Sequence, residues 1–320
     1  MKSNDKTAQA LARITELERD EASEPHGLEL VALLGHRSNH VVGAAATLIG
    51  DWEVEAAIPE LEIAFYRFME NPVKSDPMCV AKRAIVETLT KLNCANTDLF
   101  LIALRHIQLE PMWGDPEDTA PGLRGLGGRA LVSMHYPEAI LVHADLLMDS
   151  EVETRRIAVD TLTELGSNEA ELLLRITAQA FPQNVTAECL AGLMKIHPER
   201  SLEFVAHFLH DSPEIMEGAA LAIGESHHPD AFSTLKKCWH TLNDVTSQSA
   251  LLLPMALTRH DEAFILLGHI VQESSLPLAL SALEALALFA TTPEHIQQIR
   301  DYGAARDEAR FQAALNEILA

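Results

Sequence analysis

This chain repeats itself, and that limits its fold more than any other feature. The stretch "RAIVETLTKL" from Arg83 to Leu92 returns 73 residues later as "RIAVDTLTEL" from Arg156 to Leu165, with six of ten positions identical. With Leu89 and Leu162 as equivalent anchors, similar Ala-rich segments ending in a short turn place further anchors at Leu48, Leu131, Leu193, Ile223, Met255 and Leu286. The successive spacings along the chain are 41, 42, 31, 31, 30, 32 and 31 residues. A fixed period of this size marks a supersecondary unit that is stacked on copies of itself.

Each unit reads as two helices. "RRIAVDTLTELG" is followed by "NEAELLLRITAQA", and "MEGAALAIGES" by "HHPDAFSTLKKCWHTL", with apolar residues three and four apart in both members. Breakers and capping residues fill the turns, as in "GSNEA", "HYPEA" and "RHDEA". Neither helix buries its apolar face alone, so neighbouring pairs must cover one another. Composition agrees, because 48% of residues are apolar while only 5% are aromatic, which favours helices over strands. The expected fold is all-α: a superhelical solenoid of about eight to nine helical hairpins forming one domain over residues 1–320. A capping helix near 303–319 would present a single apolar stripe through Phe311, Leu315, Ile318 and Leu319.

"SEVETRRIAVDTLTELGSNEAELLL" and "PEIMEGAALAIGESHHPDAFSTL" resemble HEAT repeats of the short bacterial, phycobilin-lyase-like type. The resemblance implies an α-solenoid along nearly the whole chain. It also implies that Arg156 sits where such repeats carry a first-helix arginine that braces the next repeat, and that the second helices line the concave face.

Two spacings, 41 and 42, exceed the period by about ten residues. The extra segments lie near "YRFMENPVKSDPM" and, over about 108–125, in "LEPMWGDPEDTAPGLRGLGG". Insertions in a solenoid map to loops on one face, often the binding face. The second resembles a passage of bacterial HEAT-repeat proteins in which Trp-Gly precedes Asp-Thr-Ala and then Arg, here Trp113, Gly114, Asp118, Thr119, Ala120 and Arg124. Two accounts of it are open. In one, Asp118 or Thr119 caps the next helix while Trp113 plugs a gap in the stack. In the other, the loop is a flap whose binding residues are Trp113, Asp115, Asp118, Arg124 and Arg129, with Trp113 as the anchor and the arginines facing a ligand. "GLGGRA" matches a dinucleotide fingerprint in letters only, because a Pro-rich segment stands where the strand is needed; its glycines point to close helix packing or a tight turn. Asp115, Glu117 and Asp118 do not have the spacing of a calcium loop and read as a solvated acidic turn.

His135, His197, His227 and His260 recur at the turn inside a repeat, where a histidine suits a helix C-terminus. His207, His210 and His240 fall near the ends of second helices and could converge, but a polar wall shared with Arg175, Lys236 and Lys237 is the plainer expectation. No metal or cofactor is assigned.

The formal charge of −23 opposes nucleic acid and anionic membranes. It also removes the basic channel that HEAT-like DNA glycosylases need, and no His-Glu pair supports the di-iron centre of deoxyhypusine hydroxylases. Cys79, Cys94, Cys189 and Cys238 are scattered, and the segment "LPLALSALEALALFA" falls short of the roughly 20 residues a membrane span needs. A cytoplasmic chain is therefore expected. The functional expectation is a non-enzymatic scaffold that takes a protein or peptide on a concave face. The alternative is an enzyme or small-molecule binder, bilin-lyase-like, with its site under the 111–124 loop.

Overall fold

The computed structural model describes residues 2–20, 23–180 and 185–319; Met1 and Ala320, the ends of the expected array, lie outside them. The chain divides into two compact units, Met1–Leu165 and Gly166–Ala320. In the first, α1 (Lys2–Leu17), α2 (Glu24–Leu33), α3 (Asn39–Asp51), α4 (Ile58–Glu70), α5 (Pro72–Ser75), α6 (Val80–Lys91) and α7 (Thr97–Leu104) lead to a hairpin of β1 (Leu109–Glu110) and β2 (Glu117–Asp118). The unit then closes with α8 (Pro121–Ser133), α9 (Ala139–Leu146) and α10 (Val152–Leu165). The second holds α11 (Asn168–Ala180), α12 (Thr186–Ile196), α13 (Pro198–His207), α14 (Pro213–Glu225), α15 (Ala231–Thr241), α16 (Val245–Ala250), α17 (Leu252–Leu257), α18 (Asp261–Glu273), α19 (Leu276–Leu286), α20 (Pro293–Gly303) and α21 (Ala309–Ile318). Apart from the hairpin, the regular structure of the described residues is helical. No helix among them is long and apolar enough to cross a membrane.

The repeat governs the packing. The anchors Leu48, Leu89, Leu131 and Leu162 lie on α3, α6, α8 and α10, and all are buried. In the second unit Leu193, Ile223, Met255 and Leu286 are likewise buried, on α12, α14, α17 and α19. These first helices of each pair stack in sequence: α3 on α6, α6 on α8 and α8 on α10, and then α12 on α14, α14 on α17 and α17 on α19. Each unit is a run of stacked helical hairpins, which is the all-α repeat architecture the period demands.

Local chemistry sets the helix ends. Pro121, Pro198, Pro213 and Pro293 open α8, α13, α14 and α20, a position where the missing N–H costs nothing. Four or five residues past six of the anchors the backbone turns left-handed, at Glu53, Asn93, His135, Gly166, His227 and Arg259. Such a residue ends a helix by closing the chain back on its last turn, as when the Cys94 and Tyr136 N–H groups donate to Leu89 and Leu131 carbonyls at 2.9 Å. His135 and His227 therefore mark the turn through their backbone.

Two expectations are corrected, and one position gains a neighbour. The insertion is not a loop through residue 125, because "PGLRGLGG" is already the start of α8 and the segment outside the helices ends at Ala120. Beside Arg156, the position the resemblance singles out, α10 also carries a buried arginine, Arg155, which donates to the Asp149 and Ser150 carbonyls. The terminal helix spans only Ala309–Ile318. Ahead of it Arg306 folds back to donate to the Val271 and Ser274 carbonyls, so the chain breaks between α20 and α21. Phe311 and Leu315 are its buried stripe.

The glycines of α8 serve close packing. A Cβ on Gly127 would stand 2.7 Å from the Leu104 nitrogen and 2.9 Å from the Phe100 carbonyl oxygen, so α7 and α8 touch backbone to backbone. Neither neighbour is a side-chain end that could swing away. Gly127→Ala should lower the unfolding free energy by about 1–3 kcal/mol, read from the urea midpoint; an unchanged midpoint would show that α7 and α8 can separate at no cost.

Candidate functional site

The two insertions meet, and a buried polar lattice joins them. Asp76, at the end of the first, has a fully buried side chain and accepts the N–H groups of Ala81 and Lys82 at 2.9 Å each, capping the start of α6. It also accepts from Asn39 Nδ2 at 3.0 Å and lies 3.1 Å from the ammonium of Lys82, whose side chain is equally buried. Lys82 Nζ donates its next bond to Gln108 Oε1 at 2.9 Å. Gln108 Nε2 donates to the Asp76 carbonyl at 2.9 Å and to Glu110 Oε1 at 2.7 Å. The same Glu110 oxygen takes the Met78 N–H and the Thr119 hydroxyl, each at 2.6 Å. Burial acts to raise the Glu110 pKa, but these donors outweigh it and hold the carboxyl below its ordinary range. Met78 and Cys79 both sit at positive φ, 60° and 54°, so the lattice holds a strained corner in place.

Arg124 forms the second half of the brace. Its side chain is buried, with Nε and Nη2 forked onto Asp149 at 2.8 and 2.9 Å. Nη1 reaches Asp118 Oδ2 at 2.6 Å and the His106 carbonyl at 3.1 Å. Asp118 Oδ1 takes the Gln108 and Ala120 amides at 3.0 Å each, satisfying the N–H just ahead of α8. Burial disfavours ionisation of Asp118 and Asp149. The amide donors and the guanidinium prevail, and both carboxyls titrate below their usual value. His106, half-buried and bonded to Gln108 through Nε2 at 3.1 Å, is pushed down by burial. Since Gln108 Oε1 can only accept, Nε2 carries the ring proton.

The expected site residues therefore part company. Arg124 binds Asp118, Asp149 and the His106 carbonyl just ahead of the hairpin, and so serves as a brace. Arg129 reaches toward Thr161 at 3.4 Å and Glu164 at 3.7 Å, on α10 and away from the hairpin. Trp113 is not a plug, because at 107% relative exposure it stands wholly in solvent, with Asp115 exposed beside it. Asp76, Lys82, Gln108 and Glu110 carry the structure here, and sequence reasoning passed over them.

Those buried polar residues invert the hairpin's first arm. From Ile107 to Glu110 the side chains alternate exposed, buried, exposed, buried, and the buried ones are Gln108 and Glu110. Ile107 and Leu109 are 65% and 59% exposed, and Met112 follows at 46%. A cleft of about 570 Å³ opens beside this arm, and Ile107, Leu109, Pro116, Glu117, Glu151 and the Arg124 brace are among the residues that line it.

His207, His210 and His240 have different surroundings. His207 shares a groove with Arg175 and Phe204, His210 borders another with Lys237, and His240 meets the edge of Trp239. No group of three or more His, Cys, Asp or Glu among the described residues could hold a metal ion.

No protein family matches the chain, and no curated protein does. Among solved structures, the complex of CpcE and CpcF of phycocyanin lyase from Nostoc sp. PCC7120 is similar at a TM-score of 0.37 and 16% identity, covering 94% of this chain and 97% of that one. An engineered protein is similar at 0.36 and 14% identity, covering 91% and 87%. At these scores neither likeness bears on function.

Removing Arg124 takes the cation from two largely enclosed carboxylates, whereas removing Trp113 leaves no group unpaired. Arg124→Ala should cost about 3–5 kcal/mol of unfolding free energy, and Trp113→Ala should stay within about 0.5 kcal/mol of the parent, both by guanidinium titration. With both aspartates lowered, their stabilisation is complete above the ordinary Asp value of 3.8 and fades as the pH falls through the folded-state values. The Arg124→Ala deficit should therefore shrink in acid. A deficit that is absent at neutral pH would remove the brace.

Proposed function

We propose that this chain is a non-enzymatic protein-interaction scaffold that makes contact through the hairpin. One observation carries the reading: the arm inverts its polarity, keeping Gln108 and Glu110 inside and showing Ile107, Leu109, Met112 and Trp113 to solvent. An exposed Leu is ordinary on a protein surface, but a buried polar row with an exposed apolar row is not. The row ends in a tryptophan, the side chain most enriched among binding hot spots. The lattice beneath fixes the arm before any partner arrives, which lowers the ordering cost of association.

Exposed aliphatic residues also recur ten residues past their anchors on second helices, at Leu141, Leu172 and Ile265. They offer further contact points of the same character. The alternative, a small-molecule site under the hairpin, is less well supported. The cleft is open to solvent, and Asp118, Arg124 and Asp149, which border it, are already bonded to one another.

The test is to place a photo-crosslinking phenylalanine analogue at position 113 in the cells that make the protein, with the same analogue at exposed Glu317 on α21 as control. A discrete protein adduct at 113 that is absent at 317 is expected. Equal adducts at both positions, or none at either, would count against the scaffold reading.

A further inference from the structure

The surroundings of the apolar arm define the kind of partner it fits. Ile107, Leu109, Met112 and Trp113 are exposed along the arm and its turn, and Ile107 and Leu109 line the cleft. A methionine and a tryptophan suit an adaptable contact with a partner's aliphatic or aromatic side chains. The charge around that surface is one-sided. The cleft is lined by Glu117, Asp118, Asp149 and Glu151 against Arg105 and Arg124, four acids to two bases, or −2. Asp115 at the tip adds another negative charge. Arg124 is committed to its own two aspartates, which leaves the remaining lining charges, Glu117 and Glu151 against Arg105, predominantly acidic.

Resting on the scaffold reading, we propose that the hairpin cleft takes a protein segment in which apolar side chains are flanked by lysine or arginine. The apolar arm supplies the grip, while Glu117, Glu151 and Asp115 select the sign of the partner and speed its approach. A second copy of this chain is a poor occupant, because each copy carries a formal −23 and would bring acid to acid. A nucleic acid, which shares that sign, is repelled in the same way.

The experiment selects from a random 12-residue peptide library displayed on phage, with the full chain as bait. Three forms are used in parallel: the parent, Trp113→Ala with Met112→Ala, and Glu117→Lys with Glu151→Lys. All the altered residues lie outside the buried lattice, and matching thermal melts confirm that each form is folded. Peptides taken by the parent should be rich in Lys or Arg next to Leu, Ile, Phe or Trp. They should bind both double variants about tenfold or more weakly, and the parent complex should weaken as salt rises from about 50 to 500 mM. Selected peptides that are neutral or acidic but still weaken with Trp113→Ala and Met112→Ala would overturn this partner chemistry while leaving the scaffold reading standing, and peptides that bind all three forms alike would overturn both. Dimerisation of the parent that is lost in the Trp113→Ala, Met112→Ala form would overturn the partner chemistry in favour of a second copy. A parent that selects no peptide above the unselected library would overturn both.

Discussion

The buried carboxylate of Asp76 is the interaction on which the unusual part of this molecule depends. It ends the first insertion, starts α6 by accepting two of its free N–H groups, and holds the ammonium of Lys82 in the interior. Bringing an ion pair out of water costs several kcal/mol per ion, and only good geometry with further hydrogen bonds offsets it. Those bonds come from Asn39 and Gln108, and Gln108 belongs to the second insertion. Without the hairpin, Lys82 would lose its second acceptor. Without Asp76, Gln108 would face a buried cation alone. Two interruptions of the repeat, 32 residues apart from Asp76 to Gln108, are in this sense one structure.

That coupling explains why the hairpin shows its apolar side. In an arm that alternates two faces, only one face can turn inward. Here the inner face must satisfy Lys82, the Met78 N–H and the Asp76 carbonyl, so it carries Gln108 and Glu110, and Ile107 and Leu109 are forced outward. The exposed surface is thus a consequence of the polar lattice. Arg124 pins the other arm through Asp118, so the surface rests on two anchored strands.

Much of the fold was legible in the sequence because a repeat is a statement about packing. All eight anchors are buried, and their helices stack on one another within each unit, since one 31-residue period fixes one helical pair. The left-handed turns at His135 and His227 fall where the histidine column pointed. The site was legible only in outline. The insertions stood out by their length and composition, yet nothing local announced that Asp76 and Gln108 would meet, because that contact depends on how α3, α6 and α8 stack. The alternation in "IQLE" was visible, but the usual rule would have buried Ile107 and Leu109. The places of Arg124 and Trp113 were hidden for the same reason. An arginine between two aspartates is buried as a brace, and the tryptophan, with no cavity to fill, stands outside.

Amide hydrogen exchange on the folded chain tests the lattice most directly, at Met78, Gln108 and Thr119. These N–H groups donate to Glu110, Asp118 and the Gln108 carbonyl. If the lattice is a rigid part of the first unit, all three should exchange as slowly as amides in the middle of α6 and α8. Exchange at the rate of an open loop, while α6 and α8 stay protected, would contradict the claim that the two insertions are locked together.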